Sequence, residues 1–429
     1  MHARSNPVPY EVGRGPVGDR RRRRVVALVF VTVFLDLIGF GVLLPLLPFF
    51  VESAGGTPQA VGAMLATFSV SQLLATPALG RWADRVGRRP VMVLSLAGNA
   101  VAMALFAVAA AQASLALAFA SRLLAGVTAG NLAACQAAVA DVTGVEDRSR
   151  SMGLIGAAIG LGMILGPVIG GALSAVAIWA PPLAAAGLAA VDLVAVLLLM
   201  PETAPRRAAA AAPAHAPRTR IAAEAGPPLA RLARGPVVAV LALYALTFVC
   251  LAAVQATLPL LARVTLGWNV REVGIVFGAM GLGSLVVQGA LIGPLASRFG
   301  AVPLVGAGLA LLCGALVVIG TADTAGPLVA GTLAVGVGVG LVLPSLATVA
   351  ADLAGPHEQG TVLGFAQSSG GLGRTLGPLA AGALYTRLGP PAPFLSAAAT
   401  AAIAVALAVA LALTLARRRT PLHPRRARQ

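Results

Sequence analysis

Twelve long apolar stretches, separated by short polar or basic breaks, set the pattern of this chain. They cover approximately residues 25–50, 58–80, 90–111, 114–140, 150–174, 179–200, 236–262, 272–297, 301–320, 325–351, 358–386 and 392–416. A helix rises ~1.5 Å per residue, so each stretch is long enough to cross about 30 Å of hydrocarbon. Helices are required, because a lipid-exposed strand or loop would leave backbone N–H and C=O groups unpaired. The expected fold class is an all-α membrane protein with twelve transmembrane helices in two pseudo-symmetric six-helix bundles. One interruption is of a different kind: residues 201–235 hold Pro, Ala and six Arg with no apolar run. They read as a cytoplasmic linker between an N-terminal bundle, 25–200, and a C-terminal bundle, 236–416. Residues 1–24 and 417–429 read as basic cytoplasmic tails, the second disordered. The first 24 residues are too long and too polar for the leading part of a secretory signal, and the stretch after them is long enough to span.

An internal repeat supports the two halves. Residues 80–90 read GRWADRVGRRP and residues 293–303 read GPLASRFGAVP. Gly80, Ala83, Arg85, Gly87 and Pro90 match Gly293, Ala296, Arg298, Gly300 and Pro303. A second pair sets GPVIGGAL at 166–173 against GPLAAGAL at 377–384. The offsets, 213 and 211 residues, each link stretch n to stretch n+6. Repeats of this kind mark transporter folds whose halves rock about a central site.

Composition agrees with a bilayer protein: 58% of residues are hydrophobic and only 11% charged, too few to cover a soluble surface of this size. Abundant Gly and Ala let helix backbones approach closely. The net charge of +16 raises the possibility of nucleic-acid binding, and its distribution argues against it. All 31 basic residues are Arg, and they sit mostly between and outside the apolar stretches. With the N-terminus in the cytoplasm, 26 Arg fall on that side and only Arg263, Arg271 and Arg387 on the other. That split places both termini in the cytoplasm of a multi-pass inner (plasma) membrane protein. Cys135, Cys250 and Cys313 lie far apart in apolar stretches with no metal or redox spacing, and read as small buried residues. No metal or organic cofactor is expected. No H-E-x-x-H or nucleophile–base pattern occurs, and His2, His215, His357 and His423 lie outside the membrane core, so an enzyme is not expected.

The break between stretches 2 and 3 carries Gly80, Asp84, Arg85, Gly87, Arg88 and Arg89 ahead of Pro90. Small residues suit a short connecting loop, Pro90 suits the first turn of a helix, and Asp84 among the arginines can form ion pairs or bind a helix N-terminus. Such a cluster can latch one side of a transporter; the simpler reading is a positive-inside loop. The whole pattern resembles the signature G-x-L-A-D-R-x-G-R-R/K-P of the major facilitator superfamily, with Trp82 in place of the usual Leu. The resemblance runs over about residues 25–416 and is nearest to the twelve-helix drug:proton antiporters, especially tetracycline-pump-like members. Asp36, Gly39, Gly41, Pro45 and Pro48 resemble that group's D-x-x-G-x-G-x-x-x-P-x-x-P pattern in helix 1. Arg122 and Gly126 resemble its R-x-x-x-G, Ala140-Asp141-Val142-Thr143 its A-D-x-T, and Pro201-Glu202-Thr203 its P-E-T. Gly162, Gly166, Pro167, Gly170 and Gly171 resemble the antiporter motif of helix 5, which the family associates with export.

Two residues are candidates for proton coupling. Asp36 lies mid-span, where a carboxylate is costly and faces a cavity or a partner. Arg122 also needs an anionic partner, and the family fold makes Asp36 its nearest candidate; the alternative is an arginine snorkelling to the far interface. Gln72, Asn99, Gln136, Gln255, Gln288 and Gln367 are candidates for a substrate cavity, each with the plainer alternative of an interhelical hydrogen bond; Arg374 is a further candidate, with the plainer alternative of holding a bend in helix 11. Asp192 is a further intramembrane acid. Tetracycline pumps carry acidic groups in helix 3 and in the C-terminal half; here helix 3 offers Asn99, and Asp323 and Asp352 lie only at helix ends. The expected function is a proton-coupled antiporter exporting a small amphipathic or apolar drug or metabolite by alternating access. A metabolite uptake symporter of the same fold is the alternative. The expected partners are a small-molecule substrate, the proton and the lipid bilayer, with the protein acting as a monomer.

Overall fold

A computed structural model describes residues 16–204, 235–354 and 358–419. Most of the linker, the first 15 residues and the last ten lie outside the described residues. The N-terminal half contains α1 (Pro16–Ser53), α2 (Pro58–Val86), α3 (Arg88–Ala111), α4 (Leu115–Val127), α5 (Asn131–Val142), α6 (Val145–Ser174) and α7 (Ala180–Leu199). The C-terminal half contains α8 (Gly235–Leu266), α9 (Val270–Val286), a π-helical turn (Val287–Leu291), α10 (Ile292–Phe299), α11 (Ala301–Gly320), α12 (Ala325–Leu353), α13 (Gln359–Leu388) and α14 (Ala392–Arg419).

All twelve apolar stretches are helical, with three departures. Helix α1 starts at Pro16, so the arginine run expected in a tail is its first turns. The fourth stretch breaks at Thr128–Gly130 into α4 and α5, where the Thr128 hydroxyl turns back to donate to the Leu124 carbonyl. The eighth stretch contains the π turn, which inserts a residue into the ladder beside Gly289. Among the described residues, eleven helices are long and apolar enough to cross a membrane. The remaining stretch, α13, carries Gln and Ser in its first half and Arg374 at its middle, and packs against α2, α8 and α14. The connection between α2 and α3 is shorter than the expected loop. Gly87 alone separates them, at φ +113°, and Gly300 repeats the arrangement between α10 and α11 at φ +81°. Asp84 and Arg85 belong to the last turn of α2.

Chain direction defines a basic face, where α1 begins and α14 ends, and a far face opposite. Within each half, α6 packs along α1 and α13 packs along α8. Gly162 and Gly166 bring α6 onto the backbone of α1, meeting Phe34 and Leu37 and then Ile38 and Gly41. Gly373 and Gly377, 211 positions later, bring α13 onto α8 in the same way, at Ala245 and Val249.

The halves meet along two seams, α6 with α9 and α2 with α13. A Cβ on Gly274 of α9 would collide with the Pro167 carbonyl of α6; a Cβ on Gly62 of α2 would collide with the Pro378 carbonyl of α13. Farther out, Gly171 lies against the backbone of Val270 and Arg271, and Gly382 against Pro58 and Gln59. The G-P-x-x-x-G repeat therefore builds both seams, and its two copies are related as the halves are. These contacts lie in the far-side part of the molecule.

Substitution at Gly166 tests this packing. A Cβ there would stand 2.8 Å from the Ile38 carbonyl oxygen, whereas one at Gly156 meets nothing within 4 Å. We expect Gly166→Ala to destabilise by about 1–3 kcal/mol through overpacking, and Gly156→Ala to be neutral or slightly stabilising because alanine favours a helix interior. Thermal unfolding of the two purified variants checks both.

Candidate functional site

A cavity of about 560 Å³ lies at mid-depth between the halves. Helices α1 and α6 line it on one side, and α8, α9, the π turn, α12 and α13 on the other. Along α6 it reaches from Met163 toward the basic face at Gly153, while the glycine seams bring the halves together on the far side. The walls are mainly apolar, with Leu37, Phe40, Met163, Phe248 and Leu251 prominent, a composition suited to a drug-sized ligand. The polar side chains are Gln255, Ser284, Gln288 and Arg374. Gln288 donates to the Ser284 hydroxyl at 2.8 Å across the start of the π turn. The Arg374 guanidinium sits 4.6 Å above the Phe248 ring, and no carboxylate is among the lining residues. Shifting by 211 positions maps Arg374 onto Met163 and Phe248 onto Leu37, and all four line the cavity. The frame is thus symmetric, while the charge belongs to the C-terminal half.

Three of the seven cavity candidates, Gln255, Gln288 and Arg374, reach the cavity. Gln72, Asn99, Gln136 and Gln367 are not among its lining residues. Gln136 and Gln367 are exposed, Gln72 lies where α2 meets Gly126 of α4, and Asn99 serves a different site. Their positions on helices could be read from the sequence, but the face each helix turns inward is a property of packing.

That different site is an acidic pocket inside the N-terminal half. Asp36 is not among the residues lining the cavity, and it accepts a hydrogen bond from the Asn99 amide at 3.0 Å. Asn131, the first residue of α5, has its side chain near the same carboxylate without a formed hydrogen bond to it, and its amide oxygen lies 3.6 Å from the Cys135 thiol. The break in the fourth stretch therefore sets a helix N-terminus, with its unpaired N–H groups and favourable dipole end, beside Asp36. Asp192 of α7 is 2% exposed and accepts from the Thr32 hydroxyl at 2.9 Å. Its second oxygen and the Asn131 amide nitrogen lack hydrogen-bond partners. Thr32 lies one helical turn before Asp36 on α1, so the two acids share one side of that helix, and Cys135 stands one turn beyond Asn131 on α5. Sequence reasoning singled out both acids but missed Thr32 and Asn131, whose spacing carries no signal without the helix break.

Arg122 does not join this pocket. It is 4% exposed, stacks 5.0 Å from the Phe106 ring and donates to the Ser121 hydroxyl at 3.0 Å. The expected pairing with Asp36 is therefore absent, and so is snorkelling. Residues of α3 enclose the guanidinium instead, because α4 turns this face to Met103 and Phe106.

The arginine-rich signature ties the N-terminal half together at its basic face. Arg88 donates to Asp84 at 2.6 Å and to Asp141 at 3.1 Å, joining α2, α3 and α5. Glu202, following α7, accepts from the backbone N–H groups of Arg88 and Arg89 at 2.8 and 3.3 Å. A carboxylate thus caps the N-terminus of α3; it comes from the P-E-T segment rather than from Asp84. A Cβ on Gly87 would collide with that carboxylate, and Gly80 has open space around it. Arg89 reaches the Leu197 carbonyl. On the far face an ion pair crosses between halves: Arg263 of α8 contacts Glu52 of α1 at 3.1 Å and lies 5.6 Å from the Phe49 ring.

The major facilitator superfamily model matches residues 29–291 and 264–429. The human major facilitator superfamily domain-containing protein 10 is 33% identical over 87% of this chain and 90% of its own. The class C tetracycline resistance protein of Escherichia coli is 32% identical over 68% of this chain and 72% of its own. Among solved structures, the human organic anion transporter MFSD10 (TETRAN) is 32% identical, with a TM-score of 0.66 over 90% of this chain and 99% of that one.

The far-face ion pair yields a test. Both side chains are nearly half exposed, so the pair stabilises closure by only ~0.2–1 kcal/mol, up to about a fivefold change in population. We expect Glu52→Gln to raise, by up to about fivefold, the alkylation from the far side of a cysteine placed at Tyr385, a partly buried residue of α13 three positions beyond the Gly382 contact of the seam. An unchanged rate would exclude the pair as a closure contact.

Proposed function

The chain belongs to the major facilitator superfamily, and from that premise we propose that it is a proton-coupled antiporter. It exports a small amphipathic compound across the plasma membrane as a monomer, with its basic face in the cytoplasm. The arginine asymmetry supports this orientation. The cavity between the halves then faces the cytoplasm and takes up substrate from that side. The glycine-rich α6 at the seam and the likeness to tetracycline resistance proteins support export over the uptake alternative.

One observation carries the coupling. Helix α1 presents Leu37 and Phe40 to the cavity and, one residue from Leu37, presents Asp36 to the acidic pocket. Protonation of Asp36 removes a charge that Asn99, Asn131 and the start of α5 stabilise. The packing of α1 then changes, and with it the wall of the substrate cavity. Proton and substrate need not share a site; they share a helix. Asp192, buried beside Asp36 with one unsatisfied oxygen, is the second acid of the relay.

Arg374 favours an anionic group on the substrate. A desolvated guanidinium with an aromatic neighbour and no carboxylate among the lining residues is a receptor for a carboxylate or similar anion. The related protein described as an organic anion transporter is consistent with this reading.

Reconstituted vesicles test both parts. With an imposed pH gradient, Asp36→Asn is expected to lower gradient-driven transport by at least about tenfold while substrate exchange without a gradient persists. Full gradient-driven transport in this variant would rule out the coupling role. Asp192→Asn is expected to give a partial loss of the same kind. For substrate charge, Arg374→Gln is expected to weaken binding of an aryl carboxylate by about 1.5–3 kcal/mol, roughly ten- to hundredfold, since it removes a charge-assisted hydrogen bond. Its carboxamide analogue should be little affected.

A further inference from the structure

A second cavity, of about 630 Å³, opens between α1 and α6 at the basic face, apart from the transport path. On α6 it is bounded by Asp147, Arg150, Ser151 and Leu154. Leu154 shares a helix face with Leu161 and Leu165, and the three are 42%, 36% and 40% exposed. Successive residues turn about 100° around a helix, so this face is nearly opposite Gly156, Gly160 and Met163, which line the central cavity. The α6 wall of the cleft therefore faces the bilayer. Across it, α1 contributes Phe30 and Val31, the latter 45% exposed.

Its chemistry is divided by depth. Arg22, Arg23 and Arg150 surround the mouth with Asp147, which is paired with Arg22. The apolar run of α1 begins at Val25, directly after five consecutive arginines, and that of α6 at Met152, just after Arg150, which puts these arginines at the level of lipid headgroups. Below them the walls are hydrocarbon. A cationic mouth over an apolar cleft, open to the bilayer, matches an anionic headgroup with its acyl chain and has no counterpart for a zwitterionic one.

We propose that this cleft is a binding site for an anionic phospholipid, with Arg23 and Arg150 receiving the phosphate and the acyl chain lying along Val31 and Leu154. Helix α6 carries the cleft on one side, the cavity on another and the α9 seam on a third. A lipid seated there steadies the helix at which the halves meet.

Purified protein in detergent tests this. Dioleoylphosphatidylglycerol, dioleoylphosphatidylcholine and inorganic phosphate are the probes, and the readouts are lipid retention by native mass spectrometry and thermal unfolding followed by thiol labelling. Cys135 and Cys250 are buried in the folded protein, so their reactivity reports unfolding. The wild type should retain phosphatidylglycerol several-fold more than phosphatidylcholine and unfold a few degrees higher with it. The double variant Arg23→Gln/Arg150→Gln should lose that preference while keeping its lipid-free unfolding temperature. Arg298→Gln, an arginine removed from the same face of the other half, should keep the preference. Leu154→Trp, which fills the apolar cleft and spares the charges, should also lower retention. Equal retention of the two lipids, full retention by the double variant, an equal loss in Arg298→Gln, or a shift reproduced by phosphate alone would each overturn the proposal.

Discussion

Close backbone contact at Gly274–Pro167 and Gly62–Pro378 is the constraint on which the rest of this structure depends. Lipid tails are as apolar as the helix surfaces, so burial of apolar area does not drive helices together in a membrane. Close van der Waals contact does, and it needs side chains small enough to allow it. At these four positions the helices of one half rest on the carbonyl backbone of the other. Two related seams hold the halves on the far side, and the cavity is the space left between them at mid-depth. The same helices, through Gly166 and Gly377, are clamped to α1 and α8. Motion of one half relative to the other therefore reaches the cavity walls directly.

Helix α1 is the second organising element. Its successive residues Asp36 and Leu37 belong to two different environments, one polar and internal to a half, the other apolar and between halves. A buried carboxylate is costly unless hydrogen bonds and dipoles offset the lost hydration. Here the offset comes from Asn99 and from the interruption that starts α5 at Asn131. The break in the fourth stretch, which looks like a defect in a membrane helix, thus supports the acid.

Charge is divided between the halves by role. The Asp84–Arg88–Asp141 chain and the Glu202 cap join elements of the N-terminal half to one another, and their close geometry fits a rigid body. The half-exposed Glu52–Arg263 pair crosses between halves, where a weak contact is appropriate to a contact that opens. Arg374 stands in the cavity on the C-terminal side, opposite Met163 in the symmetric frame. In the proposed mechanism the coupling acids therefore stand in one half and the cationic Arg374 in the other, with α1 and the seams connecting them.

The sequence by itself determined the number of spans, the two halves and the arginine asymmetry, because hydrophobic length and the positive-inside bias are local properties. It also marked Asp36, Asp192 and Arg374, since an ionisable residue in an apolar run stands out without any structure. Tertiary structure decided which way each side chain points. Arg122 looked like the partner of Asp36 by family resemblance, yet α4 turns it to Phe106, and Asn99 takes that place. Gln136 and Gln367 looked as eligible as Gln255 and Gln288, and only packing separates them. The repeat at 166–173 and 377–384 was legible as a mark of duplication. That it forms both seams between the halves was not, because a repeat records what two segments share and says nothing of what each one touches.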